Sequence, residues 1–286
     1  MIATRGPSRY FGDALASALA EQPAEVVVVE DGTAGVDEAS LGRARLLRLD
    51  HVGRSAARNA GVQEAKTPFV AFLDDDDLAL PGRLQTQRAA LRAGAQAVLS
   101  FGRVRVVDAS GHPLDDWNEL LARRFDRLPE KGARFVDLLA ARCPIYTSAT
   151  MVRRDAFLAV GGYDPELDAY EDADLYLRLS RSGLLVPCPG PPVSAYRLHG
   201  ANTPSDRLYE GALAVTAKHL PGAQGRARRL LVEWRLDALW GLGRIAAARR
   251  EAAFAAARDP LLLVRPRFVK RLLGAALPTH VLEARR

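Results

Sequence analysis

Four consecutive aspartates at positions 74–77 directly follow five apolar residues at positions 69–73. The apolar segment is short and strand-like, which predicts a strand buried on both faces in a parallel sheet covered by helices. The carboxylates would then lie at the carboxyl end of this strand, where open α/β sheets bind ligands. Carboxylates at this density suit Mg²⁺ or Mn²⁺. A solvated acidic turn is the simpler interpretation, but the preceding strand and the helix that opens at residue 80 favour a metal–nucleotide site.

Two further polar side chains accompany predicted strands in the first part of the chain. Asp31 follows the valine-rich strand predicted over residues 24–29. Its carboxylate could belong to a plain turn, or it could point at a ribose hydroxyl or a base edge. Arg58 lies in a helix predicted over residues 53–65, where it either faces solvent or reaches over the strand ends towards a diphosphate. Both residues are therefore candidates for nucleotide binding.

Acidic residues and one histidine mark the second half of the same region. The segment 170–174 opens a helix predicted to run through residue 180, and acidic residues there are favoured by the helix dipole. The functional alternative is that one of them, at position 172, acts as a general base. His199 ends a strand predicted over residues 194–199, where it is either a polar loop residue or a neutral imidazole that reaches the metal.

Alternating strands and helices are expected to position these residues. The first 75 residues predict strand, helix, strand, strand, helix and strand, which is typical of a parallel sheet, with the strand over residues 45–49 near an edge. Residues 114–131 are charged and predict an irregular loop that could frame an acceptor or simply lie on the surface. The remaining predictions are helices over 80–93, 135–141 and 154–160, one or two strands over 95–107, and a strand over 145–152.

The composition changes to Ala, Leu and Arg after residue 205. A helix is predicted over residues 225–258, broken by Pro260, and a shorter apolar and basic segment follows over residues 261–277. The cations of this segment are Arg265, Arg267, Lys270 and Arg271. The pattern suits a helix on an anionic membrane surface, and equally a docked helical hairpin or a homodimer contact.

Charge and composition exclude several classes of protein. Residues 221–286 hold 14 Lys and Arg against 5 Asp and Glu, and residues 1–220 hold 26 against 29. The main region is thus weakly acidic, which argues against nucleic-acid binding there. Two cysteines fit neither a disulfide framework nor a zinc cluster. The first residues lack an apolar run, and no stretch is apolar enough to span a membrane, so we expect a cytoplasmic protein, either free or peripheral at the inner membrane face.

Six segments, in this order, resemble the family 2 glycosyltransferases, which have the GT-A fold. They cover roughly residues 1–202 and are strong evidence only in combination. The segments are Ile2-Ala3-Thr4-Arg5, the strand over 26–33 that ends in Glu-Asp-Gly-Thr, GRSAARNAG at 53–61, the acidic strand end with Pro81 and Leu84, Gly161-Gly162-Tyr163-Asp164 followed by Tyr170-Glu171-Asp172, and Tyr196-Arg197-Leu198-His199.

The resemblance implies a role for each matching residue. Thr4 and Asp31 would hold the nucleoside, and Arg58 would lie near the diphosphate or the donor sugar. Asp74, Asp75 and Asp76 would cover ribose and metal, with Asp76 as the direct ligand, although the run of four leaves the register open by one. His199 would help to close the Mg²⁺ or Mn²⁺ site, and Asp172 would be the catalytic base.

The implied enzyme is an inverting, hexosyltransferase-like glycosyltransferase that moves a sugar from a nucleoside diphosphate to an acceptor hydroxyl. A UDP-sugar is the first candidate donor, a lipid-linked molecule is a candidate acceptor, and cell-surface polysaccharide or glycoconjugate synthesis is the expected setting. Residues 1–204 would form the GT-A domain, with a central, mostly parallel sheet flanked by helices, and residues 205–286 a basic helical extension. The alternatives are a nucleotidyltransferase and a non-catalytic scaffold with the same fold.

Overall fold

The structure is a computed structural model that describes residues 1–33, 35–200 and 202–273. The chain divides into two compact units. The N-terminal unit comprises Met1–Glu166 and Asp172–His199, and the C-terminal unit comprises Leu167–Glu171 and Gly200–Arg286. The predicted boundary at residue 204 lies just beyond the end of the N-terminal unit, and the division into an enzymatic domain and an extension stays a prediction.

The N-terminal unit is built from short strands and helices that alternate along the chain. The strands are β1 (Ile2–Thr4), β2 (Val27–Asp31), β3 (Arg45–Leu49), β4 (Phe69–Ala71), β5 (Leu73–Asp74), β6 (Leu78–Ala79), β7 (Ala97–Phe101), β8 (Val104–Val107), β9 (Thr150–Arg153), β10 (Leu184–Pro187) and β11 (Ser194–Arg197). The helices are α1 (Phe11–Ala20), α2 (Arg54–Glu64), α3 (Arg83–Ala93), α4 (Asp115–Phe125), α5 (Phe135–Ala141), α6 (Arg154–Ala159) and α7 (Glu171–Ser182), whose first residue belongs to the C-terminal unit.

Three sheets hold these strands, and most strand pairs are parallel. The first has the order β3-β2-β1-β5 and is parallel throughout, with β3 at its edge as predicted. The second has the order β10-β7-β9-β4, and β9 is antiparallel to both of its neighbours. The third has the order β6-β11-β8. A mostly parallel sheet flanked by helices is confirmed. Its core is formed by aliphatic residues such as Ile2 and Val28, which are fully buried.

The apolar segment before the aspartates does not form one strand. We predicted a single parallel strand over residues 69–73, and this is wrong: β4 pairs antiparallel with β9, whereas β5 pairs parallel with β1. The chain changes sheets at Phe72, whose backbone N–H donates to the Thr150 carbonyl at 3.2 Å. The Phe72 ring is buried between the rings of Phe157 and Tyr163, with centroids 5.9 and 5.5 Å away. The apolar character of this segment is thus explained by burial of Phe72 at the point where the chain changes sheets, and not by one continuous buried strand.

Residues 114–131 also differ from the prediction, because most of them form helix α4 rather than an irregular loop. Asp115 and Asp116 lie in its first turn, and Arg123 and Arg124 lie in its last turn, which complements the helix dipole. Asn118 of α4 accepts a hydrogen bond from the Val106 N–H at 2.7 Å and donates to the Val106 carbonyl at 3.1 Å. Its amide thereby covers part of the outer edge of β8.

The C-terminal unit is helical, with α8 (Ser205–His219), α9 (Gly225–Gly241), α10 (Ile245–Arg258) and α11 (Pro266–Leu273). The continuous helix predicted over residues 225–258 is wrong. Gly243 has a φ of 69°, which favours glycine and separates α9 from α10. The end of the segment predicted over 261–277 lies outside the described residues.

Helix α9 is joined to the later segments by four ion pairs. Its Arg229 and Arg235 bind Asp259 and Glu251, and its Glu233 and Asp237 bind Arg265 and Arg271. Of the arrangements left open for the last segment, Arg265 and Arg271 follow the docked helical one, since both bind acids of α9. Both side chains bind carboxylates of α9 and thereby hold α11 and the residues just before it against α9.

Candidate active site

The carboxyl ends of β1 and β5 lie side by side, since Ala3 pairs with Asp74. This register brings Thr4 to Asp75: the hydroxyl of Thr4 donates to Oδ2 of Asp75 at 2.7 Å. The N–H of Ser8 donates to the same oxygen at 3.2 Å. Burial raises the pKa of Asp75, and these two hydrogen bonds oppose the rise. The first strand thus holds one of the four carboxylates in place.

Arg58 is directed inwards from α2 and does not face solvent. Its guanidinium is buried and contacts Oδ1 of Asp74 at 2.5 Å. It also lies over the ring of Tyr163, 5.3 Å from the centroid. Arg58 therefore reaches the strand ends, and its role towards a diphosphate stays a prediction.

The neighbouring residue of α2, Asn59, was not predicted as a site residue. Its side-chain amide donates to the carbonyl of Tyr163 at 2.8 Å and accepts from the N–H of Tyr163 at 2.8 Å. Two of the six segments described above are therefore joined directly, which fixes the loop that carries Gly162 and Tyr163 beside Arg58. The pairing of a helix polar residue with a distant Gly-Gly turn could not be inferred from one sequence.

Asp76 and His199 form the next contact of the site. Nε2 of His199 lies 2.9 Å from Oδ2 of Asp76. The His199 ring packs on the ring of Tyr10, with centroids 5.3 Å apart. Burial, together with the charges of Asp74 and Asp75, raises the pKa of Asp76 to about 6, and His199 opposes this rise. The pair predicted as metal ligands is thus brought into direct contact.

Asp77, the last of the run, points inwards, although nothing in the sequence distinguishes it from the three aspartates before it. Its N–H donates to the Asp74 carbonyl at 3.3 Å, so the four aspartates form a turn. Oδ1 of the buried Asp77 accepts from the N–H of Arg197 at 2.9 Å, and Nε of Arg197 donates to the Asp76 carbonyl at 3.0 Å. Burial and the neighbouring charges raise the pKa of Asp77 well above its usual range. Asp77 thereby ties the acidic turn to β11, the strand that leads to His199.

A buried cation supports the acidic turn from below. Arg83 of α3 donates to the Phe72 carbonyl at 2.5 Å, to the Thr150 carbonyl at 3.2 Å and to Oε1 of Gln87 at 3.0 Å. Gln87, also buried, donates to the Ala149 carbonyl at 2.8 Å. Arg83 therefore fixes the point at which the chain changes sheets, two residues before Asp74. The position of Arg83 in the sequence Pro-Gly-Arg-Leu does not indicate that its side chain is buried.

The remaining predicted residues, Asp31 and Asp172, make other contacts. The two carboxylate oxygens of Asp31, which is the last residue of β2, accept from the N–H groups of Val52 and Gly53 at 2.7 and 2.8 Å. Asp31 therefore holds the start of α2. Asp172 is half-buried in the first turn of α7, where Oδ1 accepts from the N–H of Ala173 at 2.7 Å. The nucleoside role of Asp31 and the catalytic role of Asp172 stay predictions.

The donor set fits a hard divalent cation that shares its coordination sphere with a substrate. Within the described residues, no group of three or more His, Cys, Asp or Glu side chains is arranged as a complete metal site. Asp76 and His199 provide one oxygen and one nitrogen, and the pKa of Asp76 is raised by burial and by the charges of Asp74 and Asp75, which a bound cation would offset. Mg²⁺ is commonly bound by one or two carboxylates together with substrate phosphates. Asp76 and His199 therefore fit Mg²⁺ or Mn²⁺.

Comparison with known proteins identifies relatives along most of the chain. The family described as "Glycosyltransferase like family 2" matches residues 18–216. The succinoglycan biosynthesis protein ExoU of Rhizobium meliloti is 30% identical over 247 residues, which cover 76% of this chain and 68% of that protein. The amylovoran biosynthesis glycosyltransferase AmsE of Erwinia amylovora is 27% identical over 167 residues, which cover 56% of this chain and 59% of that protein.

Solved structures share the fold. The mannosyltransferase PcManGT from Pyrobaculum calidifontis, in complex with GDP-Man and Mn²⁺, aligns with a TM-score of 0.63 at 18% identity, covering 98% of this chain and 85% of that one. S. aureus TarS 1-349 in complex with UDP aligns with a TM-score of 0.60 at 15% identity, covering 95% of this chain and 88% of that one. The family match and the shared GT-A fold confirm the resemblance drawn from the six segments, and the chain belongs to the glycosyltransferase family 2-like enzymes and is a glycosyltransferase.

Proposed function

We propose that this enzyme transfers a sugar from a nucleoside diphosphate to an acceptor hydroxyl, with inversion and with the help of Mg²⁺ or Mn²⁺. The observation that carries the proposal is the contact network at the carboxyl ends of β1 and β5. There Thr4, Arg58 and His199 each bind a different aspartate of one acidic turn. Such a network offers cation, hydroxyl and carboxylate groups at the edge of the sheet where α/β folds bind nucleotides.

The donor would lie across this network. Thr4 and Asp31 at the ends of β1 and β2 would hold the nucleoside, Asp74 and Asp75 the ribose, and Arg58 the diphosphate. Two proteins of the same fold support a nucleotide-sugar donor, since their structures contain UDP and GDP-Man respectively. We take a UDP-sugar as the first candidate and test GDP and dTDP beside it.

Asp76 and His199 would hold the metal. A cation held there would supply positive charge to neutralise the charge that develops on the leaving diphosphate. The guanidinium of Arg58, which an ion pair holds beside Asp74, would act in the same direction. The Mn²⁺ in the PcManGT complex supports the metal as part of the proposal.

Asp172 would accept the proton of the attacking hydroxyl. A base that is positioned in this way typically contributes about 10²–10⁴-fold to the rate. Attack on the face opposite the leaving diphosphate inverts the anomeric carbon, by the same geometry as in inverting glycosidases. Asp174, two residues further on, is fully buried in an ion pair with Arg178, so we assign it a structural role.

A cavity of about 380 Å³ between β8 and α4 is our candidate for the acceptor. Its wall includes Arg103, Asp115 and Tyr146. The Tyr146 ring packs on the ring of Tyr196, with centroids 4.8 Å apart, and Tyr196 precedes His199 by three residues. The relatives named for succinoglycan and amylovoran synthesis support a cell-surface polysaccharide as the product, with a lipid-linked acceptor as one form of the substrate.

Calorimetric titration tests the donor site. UDP, GDP and dTDP are titrated with and without Mn²⁺ into the wild type, Asp76→Ala and the control Asp116→Ala, which changes an exposed aspartate of α4. We expect one nucleotide to bind in the presence of Mn²⁺, and its binding to be lost only in Asp76→Ala. Absence of binding by every nucleotide contradicts the proposal and favours a non-catalytic scaffold.

Once the donor is known, Asp172→Asn tests the base. We expect kcat to fall by about 10²–10⁴-fold while nucleotide affinity is retained. Unchanged kcat excludes Asp172 as the base. The alternative of a nucleotidyltransferase receives no support from the family match.

A further inference from the structure

One part of the C-terminal unit exposes large apolar side chains. Of the seven exposed large apolar residues among those that the structure describes, five lie between residues 254 and 273. Phe254 of α10 is 56% exposed, and Leu261, Leu263 and Val264 are 58%, 49% and 76% exposed. Three of these four belong to the short segment between α10 and α11. Such clustering is unusual on a water-exposed surface and marks an interaction site.

Other apolar side chains of the same region are buried in place of these exposed ones. Leu262 of this segment and Phe268 of α11 are buried, whereas Leu261, Leu263 and Val264 are exposed. The packing of the unit is therefore already satisfied by a different set of apolar residues. The exposed set is left uncovered by the residues that the structure describes.

The charge around this apolar set has one sign. Residues 245–273 contain two acids, Glu251 and Asp259, and both are bound by arginines of α9. Two of the cations, Arg265 and Arg271, are bound by acids of α9 as well. The other five cations of the segment are exposed: Arg249, Arg250, Arg258, Arg267 and Lys270. The surface thus combines apolar side chains with uncompensated positive charge.

We propose that this surface, formed by Phe254, Leu261, Leu263 and Val264 with the five exposed cations, binds an anionic lipid bilayer. Apolar side chains that insert at the headgroup level and a ring of Lys and Arg are the two features that an anionic membrane surface recognises. Within the described residues no helix is long and apolar enough to cross a membrane, so the proposed contact is interfacial. The Arg258 guanidinium lies 3.8 Å from the Phe254 ring centroid, which places a cation and an apolar group together.

The charge also decides between a bilayer and a second copy of the chain. A two-fold symmetric dimer places a surface against itself. Five cations of one copy would then face five cations of the other, which is repulsive. A nucleic acid would satisfy the cations but would leave the apolar side chains in water. An anionic bilayer satisfies both.

The experiment is flotation of the full chain with phosphatidylcholine vesicles that either contain or lack phosphatidylglycerol. We expect the wild type to float only with the anionic vesicles and to be released by high salt. Arg258→Gln/Arg267→Gln should weaken vesicle partitioning about 30-fold, from about fivefold for each lost cation. Leu263→Ser/Val264→Ser should also weaken it, because it removes the inserted groups without changing charge.

The matched control is Arg88→Gln/Arg92→Gln, which removes two exposed cations from α3. It should float as the wild type does. Failure of the wild type to float, or equal loss in the α3 control, overturns the proposal. A concentration-dependent dimer that Val264→Ser dissociates would also overturn it, in favour of a second copy. The readout requires no donor or activity, so it is independent of the proposed glycosyl transfer.

Discussion

Replacement of Asp76 by Asn should stabilise the metal-free protein. The pKa of Asp76 is raised from 3.8 to about 6 by burial and by the charges of Asp74 and Asp75. Each pKa unit corresponds to about 1.4 kcal/mol, so ionisation of Asp76 in the folded state costs about 3 kcal/mol relative to the unfolded chain. Because the folded pKa is the higher one, this cost is small below the unfolded pKa of 3.8, develops as the pH rises from there to about 6, and is constant at higher pH.

The free energy of unfolding, measured by urea titration in the presence of EDTA, tests this reasoning. Asp76→Asn should exceed the wild type by about 3 kcal/mol at pH 8 and should equal it near pH 4. Added Mn²⁺ should then stabilise the wild type and not the variant, since only the wild type retains the carboxylate. The exposed substitution Asp116→Asn serves as the control. A variant that is less stable than the wild type at pH 8 would refute the inference that the ionised Asp76 side chain destabilises the folded, metal-free protein.

Three further substitutions test the supports of the fold and of the site by urea denaturation. Arg83→Met leaves the Phe72 carbonyl and Oε1 of Gln87 without this donor, while the Thr150 carbonyl still accepts from the N–H of Phe72. We therefore expect a loss of about 2–6 kcal/mol, against less than about 0.5 for the exposed control Arg88→Met on the same helix; equal losses would exclude a supporting role for the buried guanidinium. Gly162→Ala forces a side chain onto a φ of 69° with a contact of 2.5 Å, and should cost at least about 1–2 kcal/mol; an unchanged midpoint would contradict this. Glu233→Gln leaves Arg265 without its carboxylate and should destabilise the C-terminal unit by about 2–3 kcal/mol; a stability equal to that of the wild type would show that the pair contributes nothing.

Most of the contact network was predictable from sequence because parallel strands bring their carboxyl ends to one edge. Thr4 and the aspartates follow neighbouring strands of the first sheet, and they meet as expected. His199 ends up beside Asp76 because β11 runs next to β6, which follows the acidic turn. Each of these contacts depends only on strand order and on the position of a residue at a strand end.

The residues that sequence reasoning missed act through tertiary geometry. Whether an apolar segment forms one strand or changes sheets at Phe72 depends on its partners and not on its own pattern. The inward turn of Asp77 is equally invisible, since four identical residues give no indication of which one is buried. The error over α4 is different. Its acidic first turn and basic last turn were present in the sequence and indicated a helix.

The amide of Asn118 has a consequence for the behaviour of the protein in concentrated solution. β8 is the last strand of its sheet, and an unpaired strand edge can recruit a strand from another molecule. Asn118 hydrogen-bonds to both the N–H and the carbonyl of Val106, so these two groups cannot pair with a strand of another molecule while α4 is folded. We therefore expect fraying of α4, rather than global unfolding, to govern the onset of intermolecular β-aggregation on gentle warming.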